Sequence, residues 1–255
     1  MKRTAGKVYI VGAGPGAADL ITVRGAEVLG RADIVFHDAL VPPAILALAL
    51  RAEQVAVGKR CGRFVTAQQF ISKRLVDAAR KHRVVVRLKG GDPMLFGRAH
   101  EEITALRAAG VPHEVVPGVT AALAASAEAG ISLTQRGAAR SVAFVTARVG
   151  EGEAPSQWAR NAAAADTAVI YMGAGQAEAV TAALIAAGAP RDLPVLVVEN
   201  ASLPDTRRIA CTLEDLPRIS QHGLTGPTVI MLGRVFAEAV AAAAIPVPAC
   251  ICKSA

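Results

Sequence analysis

Short apolar runs alternate with longer amphipathic stretches along most of the chain. The runs are rich in Val and Ile, which favour buried strands, and the stretches between them repeat apolar residues at helical spacing. Regular alternation of strands and helices is typical of an α/β fold with mainly parallel sheets. The pattern predicts strands at 7–11, 33–36, 54–57, 84–88, 111–116, 142–146, 168–172, 194–198, 207–211 and 228–232.

Helix boundaries are marked by caps and glycines. The segment Thr66-Ala67-Gln68-Gln69 has the form of a capping box and predicts a helix from Ala67 to about Lys81. Another helix should follow Gly97 and end at Gly110, a residue type that favours the position just after a helix. Further helices are expected after Ala17 and at 44–50, 121–129, 176–187 and 213–219, and from 237 onward.

The length of 255 residues and the hydrophobic content of 53% allow one large domain or two of ordinary size. A helix of small residues and a crossing segment, near 117–137, separate two sets of strands. The sequence therefore predicts two α/β domains, at 1–117 and 118–240, and a tail at 241–255.

Four strands of the N-terminal half end in polar or glycine-rich turns, at 12–16, 37–38, 58–62 and 90–92. The carboxyl ends of parallel strands meet at one edge of a sheet, where ligands bind in open α/β folds. Gly90-Gly91-Asp92-Pro93 is the most informative turn, because paired glycines expose the backbone and Asp92 adds a carboxylate beside it. It predicts a ligand site, with a plain tight turn as the alternative.

Charge and composition narrow the classes of partner. Lys and Arg number 28 against 21 Asp and Glu, and a net charge of +7 favours nucleic acid, an anionic membrane or a polyanionic small substrate. Like charges form no long block, which speaks against a nucleic-acid arm, and no apolar run is long enough to span a membrane. The first residues lack the apolar core of a signal peptide. We therefore expect a cytoplasmic protein with neither nucleic acid nor membrane as partner.

Cysteine and histidine do not suggest a metal site. The four cysteines are mostly far apart and are interpreted as reduced thiols, and the five histidines show no metal-ligand spacing. No metal is expected.

The segment Gly12-Ala13-Gly14-Pro15-Gly16-Ala17 matches the G-x-G-x-x-A fingerprint of dinucleotide-binding proteins. A strand precedes it, and a helix, a second strand and an acid follow, as the fingerprint requires. Pro15 speaks against the match, because it stiffens the turn where a pliable backbone is needed. A dinucleotide-binding regulator or dehydrogenase is the alternative from a different functional class.

Six segments in order resemble the tetrapyrrole methyltransferases, and the resemblance covers residues 8 to about 236. They are Val11–Gly16, Leu20-Ile21-Thr22, Gly58–Gly62, Leu88–Pro93 with Phe96-Gly97-Arg98, Pro117–Ala121 and Tyr171-Met172-Gly173. The resemblance implies two α/β domains with S-adenosylmethionine in the cleft between them. It also implies a homodimer that methylates uroporphyrinogen III at C-2 and C-7 to precorrin-2, a step towards sirohaem and cobalamin.

The same resemblance implies roles for individual residues. The cofactor would be lined by Pro15, Gly90, Gly91, Asp92, Leu95, Thr120, Ala121, Met172 and Ala201. Asp38 would accept a proton and Lys59 would donate one. The carboxylates of the tetrapyrrole substrate would bind to Arg60, Arg63, Arg98, Arg136 and Arg140, since the guanidinium fork matches a carboxylate.

Ordinary structural roles are the alternatives for these residues. Asp38 could cap a turn, Lys59 and the arginines could form a solvated surface, and Met172 and Leu95 could belong to the core. Another precorrin, a diphthine precursor or ribosomal RNA is the alternative substrate within the family. The chain departs from the family pattern at His37, at Ala99-His100 and at Thr146-Ala147-Arg148, and the last change affects expected substrate contacts.

Overall fold

The structure is a computed structural model that describes residues 6–57, 64–148 and 156–244. The chain forms two compact units. The first unit comprises residues 1–124 with 202–204, and the second comprises 125–201 with 205–255. No helix among the described residues is long and apolar enough to cross a membrane.

The first unit contains a five-stranded sheet in the order β3-β2-β4-β1-β5. All four pairings are parallel, as the alternation of strands and helices predicts. The strands are β1 (Lys7–Gly12), β2 (Ile34–His37), β3 (Glu53–Ala56), β4 (Val84–Lys89) and β5 (His113–Val116). Their carboxyl ends therefore lie at one edge of the sheet.

Helices cover both faces of this sheet. They are α1 (Val23–Gly30), α2 (Pro43–Leu46), α3 (Phe64–Ala79) and α4 (Ala99–Ala108). Val28 and Leu29 of α1 pack on one face, whereas Ile103 and Leu106 of α4 pack on the other together with Leu75 of α3. The neighbouring central strands β1 and β4 thus lead to helices on opposite faces, and the crevice at such a point is where ligands bind in open α/β sheets.

The second unit contains a mixed sheet in the order β6-β7-β10-β8-β9. Only β6 and β7 pair in parallel, and the other three pairings are antiparallel. The strands are β6 (Val142–Thr146), β7 (Thr167–Tyr171), β8 (Pro194–Glu199), β9 (Arg207–Thr212) and β10 (Thr228–Gly233). Two α/β units are confirmed, and the expectation of a mainly parallel sheet holds for the first unit but not for the second.

The remaining helices are α5 (Ala121–Ala129), α6 (Trp158–Ala164), α7 (Ala177–Ala186) and α8 (Ala237–Ala244). The sequence pattern does not predict α6, because its alanine-rich segment has no clear apolar face. The predicted start of α3 is wrong, since this helix begins at Phe64 and Thr66 lies inside its first turn. The helix predicted at 213–219 is a 3₁₀ helix at Leu216–His222.

An aspartate fixes the start of neighbouring strands in each unit. Asp33 Oδ2 accepts hydrogen bonds from the amides of Arg83 and Val84. Asp166 Oδ2 accepts hydrogen bonds from the amides of Arg140 and Ser141 and from the Ser141 hydroxyl. Both braces lie at the amino ends of the strands, which leaves the carboxyl ends of the parallel strands for other chemistry.

Candidate active site

Three loops meet at the carboxyl edge of the first sheet, after β1, β4 and β5. Gly14 and Gly91 exchange two backbone hydrogen bonds, of 2.7 and 3.2 Å. A Cβ on Gly12 would lie 2.6 Å from the Gly118 backbone, and a Cβ on Gly118 would lie 2.3 Å from the Gly91 carbonyl oxygen. Glycine is required at these positions because the backbones touch.

The Asp92 carboxylate holds two of these loops together. Its Oδ1 accepts a hydrogen bond from the Met94 amide at 2.8 Å, and its Oδ2 accepts one from the Gly118 amide at 2.9 Å. Because each oxygen keeps a second lone pair, the carboxylate can also accept from a ligand. Asp92 therefore shapes the loop, whatever else it binds.

The backbone of the loop after β4 is partly open. At Gly91, with φ of +66°, the nearest atom to an added Cβ would be the Thr120 Cα, 4.0 Å away. Phe96 and Arg98 follow in left-handed conformations, with φ of 52° and 55°. Such conformations are costly for residues other than glycine and cluster at ligand sites. Gly91 thus leaves space for a small molecule beside the half-buried Asp92, while its own N–H and C=O are paired with Gly14.

Asp38 follows β2 at the same edge and is bound to an arginine of the neighbouring strand β4. Its Oδ1 accepts a hydrogen bond from Arg87 Nη2. The Asp38 side chain is 30% exposed, whereas the Arg87 side chain is 2% exposed. The ion pair therefore has one buried end and one end at the sheet edge.

The buried end continues into a cluster of polar side chains beneath α4. Glu102, which is fully buried, accepts three hydrogen bonds at Oε1, from Arg87 Nε at 2.9 Å, Gln68 Nε2 at 3.0 Å and Lys89 Nζ at 3.3 Å. Among the described residues, its Oε2 has no hydrogen-bond partner. Arg87 and Lys89 alternate along β4 and so point to the same face of the sheet.

The pKa values of the two cations in this cluster shift in opposite directions. Burial lowers the pKa of Lys89, and the nearby Arg87 charge lowers it further, against the opposing effect of Glu102. Burial would also lower the pKa of Arg87, but the carboxylates of Glu102 and Asp38 outweigh it and raise this pKa. Arg87 therefore keeps its charge, whereas Lys89 holds its proton less tightly than an ordinary lysine.

The other residues expected in the first unit lie around these loops. Pro15, Leu95, Thr120 and Ala121 are all half-buried, so Leu95 is not a fully buried core residue. Exposed Arg98 forms two hydrogen bonds with Glu101, of 2.7 and 2.9 Å, so a substrate carboxylate would compete with Glu101 for it. Lys59, Arg60 and Arg63 lie outside the described residues.

Two of the four residues expected in the second unit, Met172 and Ala201, follow strands of its sheet at their carboxyl ends. Val229 of β10 is opposite both Tyr171 and Val198, so β7 and β8 end at the same edge, on either side of β10. Met172 follows β7 with φ of 57° and a side chain that is 46% exposed, which removes the core interpretation. Ala201 follows β8 and is buried.

The two arginines expected in the second unit lie elsewhere in it. Arg136 belongs to the turn closed by the bridge between Gln135 and Ala139, and its side chain is exposed. Arg140, also exposed, lies just before β6, at the amino end of that strand, where its amide binds Asp166. These positions do not bring Arg140 to the carboxyl edge of the second sheet.

The loop after β1 does not have the geometry of a dinucleotide site. A pyrophosphate in such a site rests on the amino end of the helix that follows the glycines. Here α1 begins only at Val23, with Thr22 as its N-cap. Gly14 pairs with Gly91, and a Cβ on Gly16 would lie 2.9 Å from the Leu203 side chain. The glycines are used for packing, so this alternative is not supported.

Sequence reasoning missed the buried polar cluster. A signal was present, because Arg87 lies within the apolar run that predicts the strand at 84–88, and Lys89 follows that run directly. Charged residues are almost never fully buried unless they are paired. Two cations at alternate positions of a central strand therefore indicate buried anionic partners, although not which ones.

A family profile and the sequences of known proteins both relate this chain to one family. The profile of the Tetrapyrrole (Corrin/Porphyrin) Methylases matches residues 7–217. The siroheme synthase of Pseudomonas fluorescens strain Pf0-1 is 44% identical over 234 residues, which are 91% of this chain and 50% of that protein. This chain thus spans about half the length of the curated relatives that it matches.

Solved structures point the same way. The uroporphyrin-III C-methyl transferase of Thermus thermophilus, complexed with S-adenyl homocysteine, is 40% identical, with a TM-score of 0.79. The match covers 91% of this chain and all of that one. A cobalt precorrin-4 methyltransferase is 31% identical, with a TM-score of 0.80, over 90% of this chain and 95% of its own.

Proposed function

The chain belongs to the tetrapyrrole methylases, and on that premise we propose that it transfers methyl groups from S-adenosylmethionine to C-2 and C-7 of uroporphyrinogen III, giving precorrin-2. One observation carries the proposal. The glycine loop with open space beside Gly91 and the carboxylate of Asp38 follow neighbouring strands of one sheet, β4 and β2. A methyl donor and a proton acceptor would then lie at the same edge.

The relatives support this reaction in particular. The Thermus thermophilus protein that this chain covers in full is described as a uroporphyrin-III C-methyl transferase and was solved with S-adenyl homocysteine. The curated relatives are siroheme synthases of about twice the length, and the proposal concerns only the part of their activity that this chain can supply.

The residues fit a sulfonium cofactor. The loop at Gly90-Gly91 would leave space for it beside Gly91, and Asp92 and Asp38 would supply carboxylates to a site for a cation. S-adenosylmethionine supplies an electrophilic methyl group. Pro15, Leu95, Thr120 and Ala121 would complete the wall in the first unit, and the roles of Met172 and Ala201 at the corresponding edge of the second sheet remain predictions.

Proton transfer is the chemistry that the side chains would perform. When a ring carbon forms its bond to the methyl group, the ring becomes cationic and must lose a proton. We assign this step to Asp38, and the support for it is that the Asp38 carboxylate is partly exposed and is bonded at the sheet edge to Arg87. Lys59 as proton donor, and Arg60, Arg63, Arg98, Arg136 and Arg140 as ligands of the substrate carboxylates, are proposed from the family resemblance.

We further propose that the enzyme is a homodimer, as the family resemblance implies. Light scattering after size exclusion should give the mass of two chains at micromolar concentration. The mass of one chain under those conditions would contradict the proposal.

Incubation with S-adenosylmethionine and uroporphyrinogen III, followed by mass spectrometry under anaerobic conditions, tests the function. We expect a product that carries two added methyl groups. Parallel incubations with precorrin-2 and a precorrin-4 test other substrates of the family, and methylation of one of these instead of uroporphyrinogen III would overturn the proposal. Thermal stabilisation by NAD but not by S-adenosylhomocysteine would point to the dinucleotide alternative.

A further inference from the structure

All three nitrogens of the Arg87 guanidinium form hydrogen bonds inside the first unit. Nε binds Glu102 at 2.9 Å, and Nη2 binds Asp38. Nη1 donates to the carbonyl oxygens of Leu88, at 3.1 Å, and of Phe36, at 3.4 Å. A planar group fixed on three sides has no freedom to rotate, so the position of each partner is fixed as well.

This arrangement differs from an ordinary surface ion pair. The Arg87 side chain is 2% exposed, and its partners come from β2, β4 and α4. Phe36 belongs to β2, which ends one residue before Asp38, so the guanidinium holds the strand and the carboxylate that follows it. Among the described residues, Arg87 is the one side chain that hydrogen-bonds to the Asp38 carboxylate, and it binds Oδ1, so Oδ2 is left for another group.

We propose that Arg87, held in place by Glu102, is the positioning residue of the reaction, and that it fixes the Asp38 carboxylate where this group takes the proton of the methylated ring. Arg87 itself touches neither substrate nor cofactor in this proposal. The inference rests on the proposed function, because it assumes that Asp38 is the proton acceptor.

Glu102 binds the guanidinium through Nε, whereas Asp38 binds it through Nη2. Glu102 is fully buried in α4, and the hydrogen bond from Gln68 of α3 fixes the oxygen that receives Arg87 Nε. Two helices therefore hold the anion that orients the guanidinium, and the guanidinium orients Asp38. A pair that served stability alone would not need to extend from a fully buried anion to a carboxylate at the edge where the cofactor loop lies.

The conservative substitution Arg87→Lys separates position from charge. Lysine keeps the positive charge, but its single ammonium cannot bind two carboxylates and two carbonyl oxygens in one plane. We expect kcat to fall by about 10- to 100-fold, since a displacement of about 1 Å at a reacting group can cost about 100-fold. KM for uroporphyrinogen III and the affinity for S-adenosylhomocysteine should stay close to wild type.

A double-mutant cycle with Asp38→Asn tests whether Arg87 acts through Asp38. If it does, Arg87→Lys should change the residual rate of Asp38→Asn by less than about threefold, because the group that it positions is already gone. Arg207→Lys is the matched control. Arg207 binds the buried Glu199 in the second unit, at 3.2 Å, and its replacement should leave kcat within about threefold of wild type.

Three results would overturn the inference. The first is a kcat of Arg87→Lys within about threefold of the wild-type value. The second is an equal loss of kcat from Arg87→Lys in the wild-type and Asp38→Asn backgrounds. The third is a rise in KM without a fall in kcat. If Arg87→Lys does not fold, Glu102→Gln keeps the volume and an acceptor oxygen and enters the same cycle. Failure of the wild-type protein to methylate uroporphyrinogen III would instead reject the proposed function, and the role of Arg87 with it.

Discussion

Among the described residues, each unit has one almost completely buried glutamate, and different kinds of partner hold the two. Glu102 of the first unit receives all its hydrogen bonds from side chains, two of them cationic. Glu199, at the end of β8, is 3% exposed and receives two from the amides of Thr225 and Gly226, both at 2.6 Å. Its other oxygen binds the half-exposed Arg207.

The kind of partner, backbone amide or charged side chain, decides what each buried carboxylate can do in the structure. Backbone amides are fixed by the fold and stay neutral at every pH, so Glu199 braces the loop at 225–226 at low cost in buried charge. Glu102 instead brings buried cations together at the edge where the glycine loops meet, which is costly unless every partner is in place. The first arrangement stabilises a loop, and the second holds charged side chains at the edge where we propose that the reaction takes place.

The largest expected effect comes from the exposed end of that charged cluster. Asp38→Asn is nearly isosteric and should leave S-adenosylhomocysteine affinity unchanged in a calorimetric titration. An amide cannot accept the proton, so single-turnover methylation of uroporphyrinogen III should slow by about 100- to 10,000-fold, the usual contribution of a general base. If Asp38 only caps a turn, Asn would replace it well and the rate would stay within a few-fold.

The comparison itself is tested by the same substitution at both glutamates. Glu102→Gln leaves the charges of Arg87 and Lys89 with too few partners and should cost about 3–5 kcal/mol of unfolding free energy. Glu199→Gln keeps an oxygen that can accept from the two amides and should cost about 0.5–1.5 kcal/mol. Urea denaturation of both variants measures the difference, and equal losses would show that the two carboxylates play the same part.

The pH dependence sharpens this test. Lys89 has an ordinary pKa of about 10.4 in the unfolded chain and a lower pKa in the folded protein. Between the two values the unfolded state binds more protons, so stability rises with pH. Glu102→Gln removes an interaction that raises this pKa, so the loss caused by the variant should shrink as pH rises from neutral towards about 10. The loss in Glu199→Gln should not show this trend.

Much of the first unit could be predicted from the sequence, because a parallel sheet follows from alternation and places every strand end at one edge. That rule alone brings the loops at Gly12, Gly91 and Asp38 together. The rule fails for the second sheet, because apolar periodicity indicates which face of a strand is buried but not whether the strand runs parallel or antiparallel to its neighbours. Thus β10, which runs against both β7 and β8, could not be told from a parallel strand.

The buried cluster could be predicted only in part. Arg87 and Lys89 are visible in the sequence as cations within an apolar strand, but Gln68 and Glu102 lie on separate helices and look like ordinary polar positions there. Which carboxylate meets which cation depends on how α3 and α4 pack on the sheet. That packing is set by contacts between distant segments, which local patterns do not contain.

A smaller effect is expected at Gly91, in the loop that we propose binds the cofactor. Gly91→Val places a β-branched side chain at φ of +66°, beside space that the cofactor would occupy. The strain should cost about 1–3 kcal/mol of stability. We expect S-adenosylhomocysteine to bind at least about tenfold more weakly in calorimetry, which is about 1.4 kcal/mol.

Gly110→Val is the matched control for strain. Gly110 has φ of +65° after α4, and no atom lies within 4 Å of an added Cβ. It should lose similar stability and keep wild-type affinity for S-adenosylhomocysteine. Equal affinity in the two variants would remove Gly91 from the cofactor site.

The smallest effect is expected at Asp166, the aspartate that fixes the amino ends of β6 and β7. Hydrogen bonds from the Arg140 amide, the Ser141 hydroxyl and the Ser141 amide lower the pKa of Asp166 below its ordinary value of 3.8. A carboxyl group with a lowered pKa stabilises the fold above its unfolded pKa, and this contribution is lost as pH falls through the folded value. Asp166→Asn should therefore lower Tm slightly at neutral pH and flatten the fall in Tm between about pH 5 and pH 2. Asp192→Asn removes an exposed charge in the same unit and serves as the control, and a Tm profile identical in the two variants would show that the brace contributes nothing measurable.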